Sequence, residues 1–295
     1  MDGILIINKA AGMTSHDVVS YVRRLLLKSG HRVKVGHTGT LDPMATGVLP
    51  LCIGRATKVS SYIMAESKAY EALINLGAAT DTLDADGKVV DQAAFDMDEA
   101  GFRAVVMSFV GDSLQEPPMY SAIKVDGKRL YDLARRGEVV KREPRPITIH
   151  NIEIIALNLP HTATIRVFCS KGTYIRSLAA DIGLRCGSLA HLGGLCRLST
   201  GQFDLSAAID LARFEELLYA NELHSTIIPI DKALNFEHIQ TLPEADKYLT
   251  NGNEIPLKFV LSRPKTDKFF VYSHSGRLCG IYKPIEGGLR PLVVL

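Results

Sequence analysis

Cysteine is scarce in this chain, five in 295 residues, an odd number with no C-x-x-C spacing. That argues against a framework of paired disulfides and against a zinc ribbon, and it points to a reducing compartment. Long apolar runs are missing too. No stretch approaches the roughly 20 residues that span a bilayer, and the opening MDGILIINKA lacks the basic stretch and apolar core of a secretory leader. A cytoplasmic protein is expected. Also absent are G-x-S-x-G, H-E-x-x-H and G-x-x-x-x-G-K-[ST], and the nine histidines show no metal-like spacing. Those absences remove the signatures of serine hydrolases, zinc proteases and P-loop enzymes. Charge of one sign is not in large excess: a net of +2 does not by itself suggest a polyanionic partner.

Its distribution does. Residues 121–147 carry eight Lys or Arg against four acids, a net of +4, and residues 258–290 carry seven against two, a net of +5. Residues 81–100 carry seven acids against Lys88, a net of −6, which hides the basic regions in the total. Basic segments separated by an acidic one can orient an RNA backbone, although a single such segment is commonly only a solvated face. At 295 residues and 46% hydrophobic, the chain can build one sizeable core plus a smaller module, on a prior of roughly 100 to 200 residues per domain.

Hydrophobic patterning gives a coarse layout. Ile4–Ile7 reads as a buried strand, and Val18, Val19, Val22, Leu25 and Leu26 repeat at helical spacing after Ser15, a plausible N-cap, until Gly30. Tyr70–Leu76, Ile147–Ala156 and Thr164–Cys169 read as strands, and Ile175–Leu184 and Leu205–Leu218 as helices. Strands and helices mix without βαβ regularity, which predicts an α+β fold with a mainly antiparallel sheet flanked by helices. Residues 115–146, with four prolines and a basic excess, read as an insertion reaching out from the core. Beyond Pro229, short apolar pieces (Phe269–Tyr272, Leu278–Tyr282, Leu289–Leu295) alternate with Gly and Pro turns, as in small β-barrels. The expected division is 1–229 and 230–295.

One loop carries the most chemistry. Residues 36–50, GHTGTLDPMATGVLP, place a single carboxylate, Asp42, among Gly36, Gly39 and Gly47, with Pro43 fixing φ just after the acid and threonines able to bond the loop internally. Asp followed by Pro equally fits a helix N-cap. A cap does not explain three glycines and a histidine, which suit a site where a substrate approaches the backbone.

This loop closely resembles the G-H-x-G-x-L-D-P-x-A-x-G-x-L signature of the tRNA pseudouridine synthase B (TruB) family. Four further segments resemble that family in order: KAAGMTS (9–15), KAYEALINLGAATDTLDADG (68–87), PPMYSAIKVDGKRLYDLARRG (117–137) and SKGTYIRSLAADIG (170–183). Departures are few: Ala10 stands where the family usually has Pro, and Cys196-Arg197 replaces a commoner Arg-Arg pair, so one phosphate partner fewer is expected there.

The resemblance implies a cofactor-free, metal-free isomerase, a pseudouridine synthase catalytic domain followed by a PUA-like RNA-binding barrel, acting as a monomer on the T-loop uridine (position 55) of tRNA. It implies Asp42 as the nucleophile, Arg176 as its ion-pair partner and Tyr70 as the ring stacked on the target base. It further implies His37 filling the gap left by the flipped base, Leu195 closing over the site, Lys9 near the pocket rim, Tyr174 and Lys124 as RNA contacts, and the 115–146 insertion as the RNA grip. Each side chain also has a plainer reading: Arg176 as a helix-face surface charge, Tyr70 and Leu195 as core. A unit pair about 4 Å apart at an effective dielectric near 20 attracts by about 4 kcal/mol, enough to keep a buried Asp42 ionised. A catalytically inactive RNA-binding or tRNA-folding protein is the alternative; Asp42 would then be dispensable.

Overall fold

Strand β1 (Gly3–Lys9) is buried at six of its seven positions because a continuous apolar run needs cover on both faces. Leu5 and Ile7 enter the main core, while Ile4 and Ile6 enter a second core behind it. The computed structural model describes residues 1–295 except 122, 126, 135 and 139, and the side chains of 124, 125, 128 and 129 also lie outside the description. Helix α1 (Ser15–Lys28) buries Val18, Val19, Val22, Leu25 and Leu26, the stripe seen in the sequence. Its N-cap is Thr14, not Ser15: Thr14 and Asp17 form a reciprocal capping box. Ser15 turns inward instead, where its Oγ accepts from Leu41 N (2.8 Å) and donates to Leu41 O (3.1 Å).

The main sheet adds β2 (Val35–His37), β3 (Thr46–Ile53), β4 (Lys68–Leu76), β5 (Gly111–Gln115), β6 (Arg145–Asn158) and β7 (Thr162–Cys169). Helix α2 (Ile175–Arg185) and β8 (Ala190–Thr200) follow. Its strand order is β1-β3-β8-β4-β7-β6-β5, with β2 on β3 and Phe203–Asp204 on β8. Every pairing is antiparallel except β3 with β8, which run parallel at Thr46–Cys196 and Gly47–Arg197. The fold is α+β with a mainly antiparallel sheet, as predicted.

Residues 205–218 are not one helix. A 3-10 turn at Leu205–Ala207 gives way to α3 (Leu211–Tyr219), because Asp210 accepts from Arg213 N as an N-cap and so starts a new helix there. The insertion leaves and re-enters the sheet on one rung, where Gln115 pairs with Arg145. Between these residues lie a small hairpin (Lys124–Val125 with Lys128–Arg129) and a helical turn at Leu130–Ala134. Arg142 and Glu116 form an ion pair across its neck.

A second sheet of five strands closes the chain: β9 (Glu237–Gln240), β10 (Ile255–Pro256), β11 (Phe269–Tyr272), β12 (Leu278–Ile285) and β13 (Gly288–Val294), in the order β9-β11-β12-β13-β10. The three late apolar pieces of the sequence are β11, β12 and β13. Alternation along β11 sends Phe269 and Val271 into this module's own core and Phe270 into the core shared with Ile4, Ile6 and Val48. The C-terminal sheet is therefore seated on the back of the main one, which leaves the β2–β3 loop free at the front.

Candidate active site

Asp42 sits in the loop joining β2 to β3. A turn follows it, closed by Ala45 N donating to Asp42 O (3.1 Å), and then a strand. The helix-cap reading of Asp42 is thereby excluded. Gly47, at φ +100°, lies where β3 runs against β8, and a Cβ there would overlap the carbonyl oxygen of Arg197.

The loop is fastened from three sides. Lys9, 1% exposed, donates its Nζ to the carbonyls of Ala10 (2.8 Å), Met13 (2.6 Å) and Pro43 (3.2 Å). Ser15 holds Leu41. Arg197, also 1% exposed, donates Nε to Val48 O (2.7 Å) and Nη2 to Gly39 O (3.1 Å). These cations tie the loop's carbonyls to its neighbouring strands and turn.

The first turn of α2 delivers Arg176, whose side chain is 5% exposed. Its Nε lies 3.0 Å from Asp42 Oδ2 and its Nη2 3.3 Å from Oδ1, a forked pairing that fixes the plane of the carboxylate. The guanidinium is itself held by Thr82 O (3.1 Å) and Tyr120 O (2.7 Å), and Asp84 Oδ2 stands 3.4 Å from Nη1. Arg176 is not a surface charge. It joins the Asp42 loop, the 81–84 turn and the root of the insertion.

Asp42 keeps 34% of its side chain accessible. The protein around it still removes enough water to push its carboxyl above the ordinary carboxylate range. Burial is the largest influence; Arg176 and Lys9 pull the other way, and Asp84 adds to the rise. The Coulombic attraction to Arg176 thus offsets desolvation only in part, less than the sequence alone suggests.

The remaining expected site residues fall in different settings. Tyr70, on β4 opposite Arg197 in register, is buried among main-core residues, and burial raises its hydroxyl while Arg197 beside it acts in the opposite sense. His37, at the end of β2, is half-buried; burial, with Arg197 and His16 nearby, lowers its imidazole below the usual histidine range, so the ring is neutral at pH 7. Leu195 on β8 is half-buried against the main core. Tyr174, the residue before α2, exchanges backbone bonds with the Gln115 side chain: its N donates to Oε1 (2.7 Å) and its O accepts from Nε2 (3.1 Å). Lys9 lies beneath the loop rather than at a rim, because its ammonium is consumed by three carbonyls. The side chain of Lys124 lies outside the described residues. Among the described residues no group of three or more His, Cys, Asp or Glu could hold a metal ion.

Two residues escape a reading of the sequence. Asp84 belongs to the TDTLDADG run, which resembles a family segment but assigns that acid no role. Arg197 looks like the survivor of a phosphate-binding pair; in the fold it is an internal brace. A lone Arg two residues after Leu195 in an apolar strand is the available signal, since a buried position obliges it to bond backbone.

Residues 23–175 match the N-terminal domain of the TruB family of pseudouridylate synthases, and residues 176–235 match the tRNA pseudouridylate synthase B C-terminal domain. The tRNA pseudouridine synthase B of Clostridium kluyveri is 46% identical over 285 residues, covering 95% of each chain. That of Clostridium novyi is 42% identical over 294 residues, covering 98% of each. Among solved structures, a chain of a Cbf5–Nop10–Gar1 complex superposes with a TM-score of 0.74 at 25% identity, over 96% of this chain and 78% of that one. The five C-terminal strands accord with a PUA-like module in this architecture. With a lone loop carboxylate forked onto a buried arginine, and both domain matches in sequence, this chain belongs to the TruB family of pseudouridylate synthases.

Proposed function

We propose that the chain converts uridine to pseudouridine in tRNA, at the T-loop uridine of position 55, and that Asp42 carries the chemistry. The reaction breaks the bond from ribose C1′ to uracil N1, turns the base, and forms a bond from C1′ to C5; N1 gains a proton and C5 loses one, so nothing is oxidised and nothing transferred. Family membership supports the reaction class, and the forked Asp42–Arg176 pair is the observation that carries the residue assignment. An ionised carboxylate held in one plane can attack C1′ or draw off a sugar proton as the base departs, and both routes need Asp42 charged and aimed.

A loop uridine must leave its stack to reach Asp42, at a cost of a few kcal/mol. Stacking on an aromatic ring returns about 1 to 3 kcal/mol each. The neutral ring of His37 fills the vacated place, Tyr70 lies against the base, and Leu195 closes the apolar side. Tyr174 and Lys124 contact the RNA, the 115–146 insertion grips the T-arm, and residues 230–295 form an RNA-binding module. The enzyme works as a monomer in the cytoplasm, where its five unpaired cysteines remain reduced. Incubation with unmodified tRNA, followed by mapping of pseudouridine, tests the reading: product at the T-loop uridine supports it, and product only elsewhere, or none, contradicts it.

A further inference from the structure

The structure assigns a second phosphate-binding track to the outer face of α1 and the turn that follows it, a site for the double-helical stem that carries the target loop. This assignment rests on the tRNA substrate proposed above. Residues 23–34, RRLLLKSGHRVK, contain five Lys or Arg and no acid. All five, Arg23, Arg24, Lys28, Arg32 and Lys34, are exposed, and none forms an ion pair among the described residues. By contrast, Lys141 and Arg142 of the insertion are already paired with Glu143 and Glu116. Unpaired exposed cations are free to neutralise phosphates, and the counterions that a polyanion then releases drive the binding.

Placement ties the track to the site. His16, Ser20, Arg24 and Lys28 follow one another at i, i+4 and so form a single row along the helix, with Arg23 beside it. The row begins next to the catalytic loop, where Ser15, the neighbour of His16, is bonded to Leu41. From His16 to Lys28 it runs about 18 Å at 1.5 Å per residue. Arg32 and Lys34 then return the chain to β2, where Gly54 N donates to Lys34 O (2.8 Å). The root of the insertion meets Arg176 through Tyr120 O, so the insertion and α1 both start from the Asp42 loop. An RNA whose flipped base reaches Asp42 has a stem that must leave across one of the adjoining surfaces, and the one acid of α1, Asp17, stands in its first turn, ahead of Arg23, Arg24 and Lys28. The nearby carboxylates are engaged, Asp17 in the capping box and Glu215 by the Tyr21 hydroxyl (2.6 Å). Arg24 sits over the Tyr21 ring at 5.3 Å, a contact that leaves its charge unpaired by any acid among the described residues.

The test compares Arg23→Gln/Arg24→Gln with the wild-type enzyme for binding two RNA probes, a T-arm stem-loop and a single-stranded oligonucleotide of the loop sequence, across a salt series. On the stem-loop, the variant is expected to bind roughly tenfold more weakly near 0.1 M salt, and the slope of log affinity against log salt to fall by about 2, one for each phosphate left without its arginine. On the single-stranded probe the two proteins should agree. Arg23→Lys/Arg24→Lys should restore the wild-type slope, which separates lost charge from disturbed folding. An unchanged slope on the stem-loop, or an equal weakening on both probes, overturns the assignment. Wild-type product formation in parallel keeps this failure distinct from failure of the proposed function.

Discussion

Asp84 and Asp42 share one guanidinium: Asp84 Oδ2 lies 3.4 Å from Arg176 Nη1 while Asp42 Oδ2 lies 3.0 Å from Nε. One buried cation therefore serves two carboxylates, and the second acid pushes the first toward protonation. The proposed chemistry needs Asp42 ionised, so activity should be lost as pH falls through the Asp42 pKa, which burial raises above the ordinary carboxylate value. Asp84→Asn removes a like charge and should move the acid limb of kcat/KM to lower pH. A limb that stays in place or moves upward contradicts this coupling.

His37 is expected to act as a neutral ring. His37→Ala should lower kcat/KM by about 5- to 150-fold, corresponding to about 1 to 3 kcal/mol of lost stacking, and His37→Phe should recover most of it. Because burial holds the imidazole below its usual range, no ionisation of His37 should appear between pH 7 and 8. A variant at wild-type activity, or a Phe substitution no better than Ala, contradicts the wedge role.

Gly47 is required by backbone geometry rather than chemistry. Gly47→Ala sets a Cβ against the Arg197 carbonyl at a φ of +100°, and should cost more than about 2 kcal/mol. In a chain of this size that lowers the thermal midpoint by roughly 3 °C or more. A midpoint equal to wild type would mean that β3 and β8 can separate without penalty.

The layout of the fold was legible where one periodicity ruled. Leu5/Ile7 and Ile4/Ile6 declared a strand covered on both faces, and the α1 stripe declared its helix. Local chemistry was harder to read. Thr14 outcompeted Ser15 as a cap because Asp17 completes a box with it, and Asp210 divided an apolar stretch that periodicity alone joined. At the site, the glycine-rich loop announced Asp42, and its matching motif announced Arg176. Asp84 stayed hidden because its meeting with Arg176 depends on a turn anchored far along the chain, where Leu192 N donates to Leu83 O (3.0 Å). Arg197 stayed hidden because surface and buried arginines look alike until the strand pairing is known.

A raised Asp42 pKa also has a consequence for stability. A carboxyl whose pKa is higher in the fold than in the unfolded chain binds its proton more tightly when folded. Its stabilising contribution is full below the unfolded value and is lost as pH rises through the folded one, so at neutral pH the bare charge is a liability. Arg176 keeps Asp84 and two carbonyls if Asp42 is neutralised. Asp42→Asn should therefore melt at or above the wild-type midpoint at pH 7, as active-site replacements do when function is bought with stability. A clear drop would show the Arg176 pair to be chiefly structural.

The most direct measurement uses that same variant with unmodified tRNA, following pseudouridine formation and RNA binding side by side. Wild-type protein should form pseudouridine, and Asp42→Asn should bind tRNA with similar affinity while forming none. Equal product from both proteins would contradict the assignment of the chemistry to Asp42.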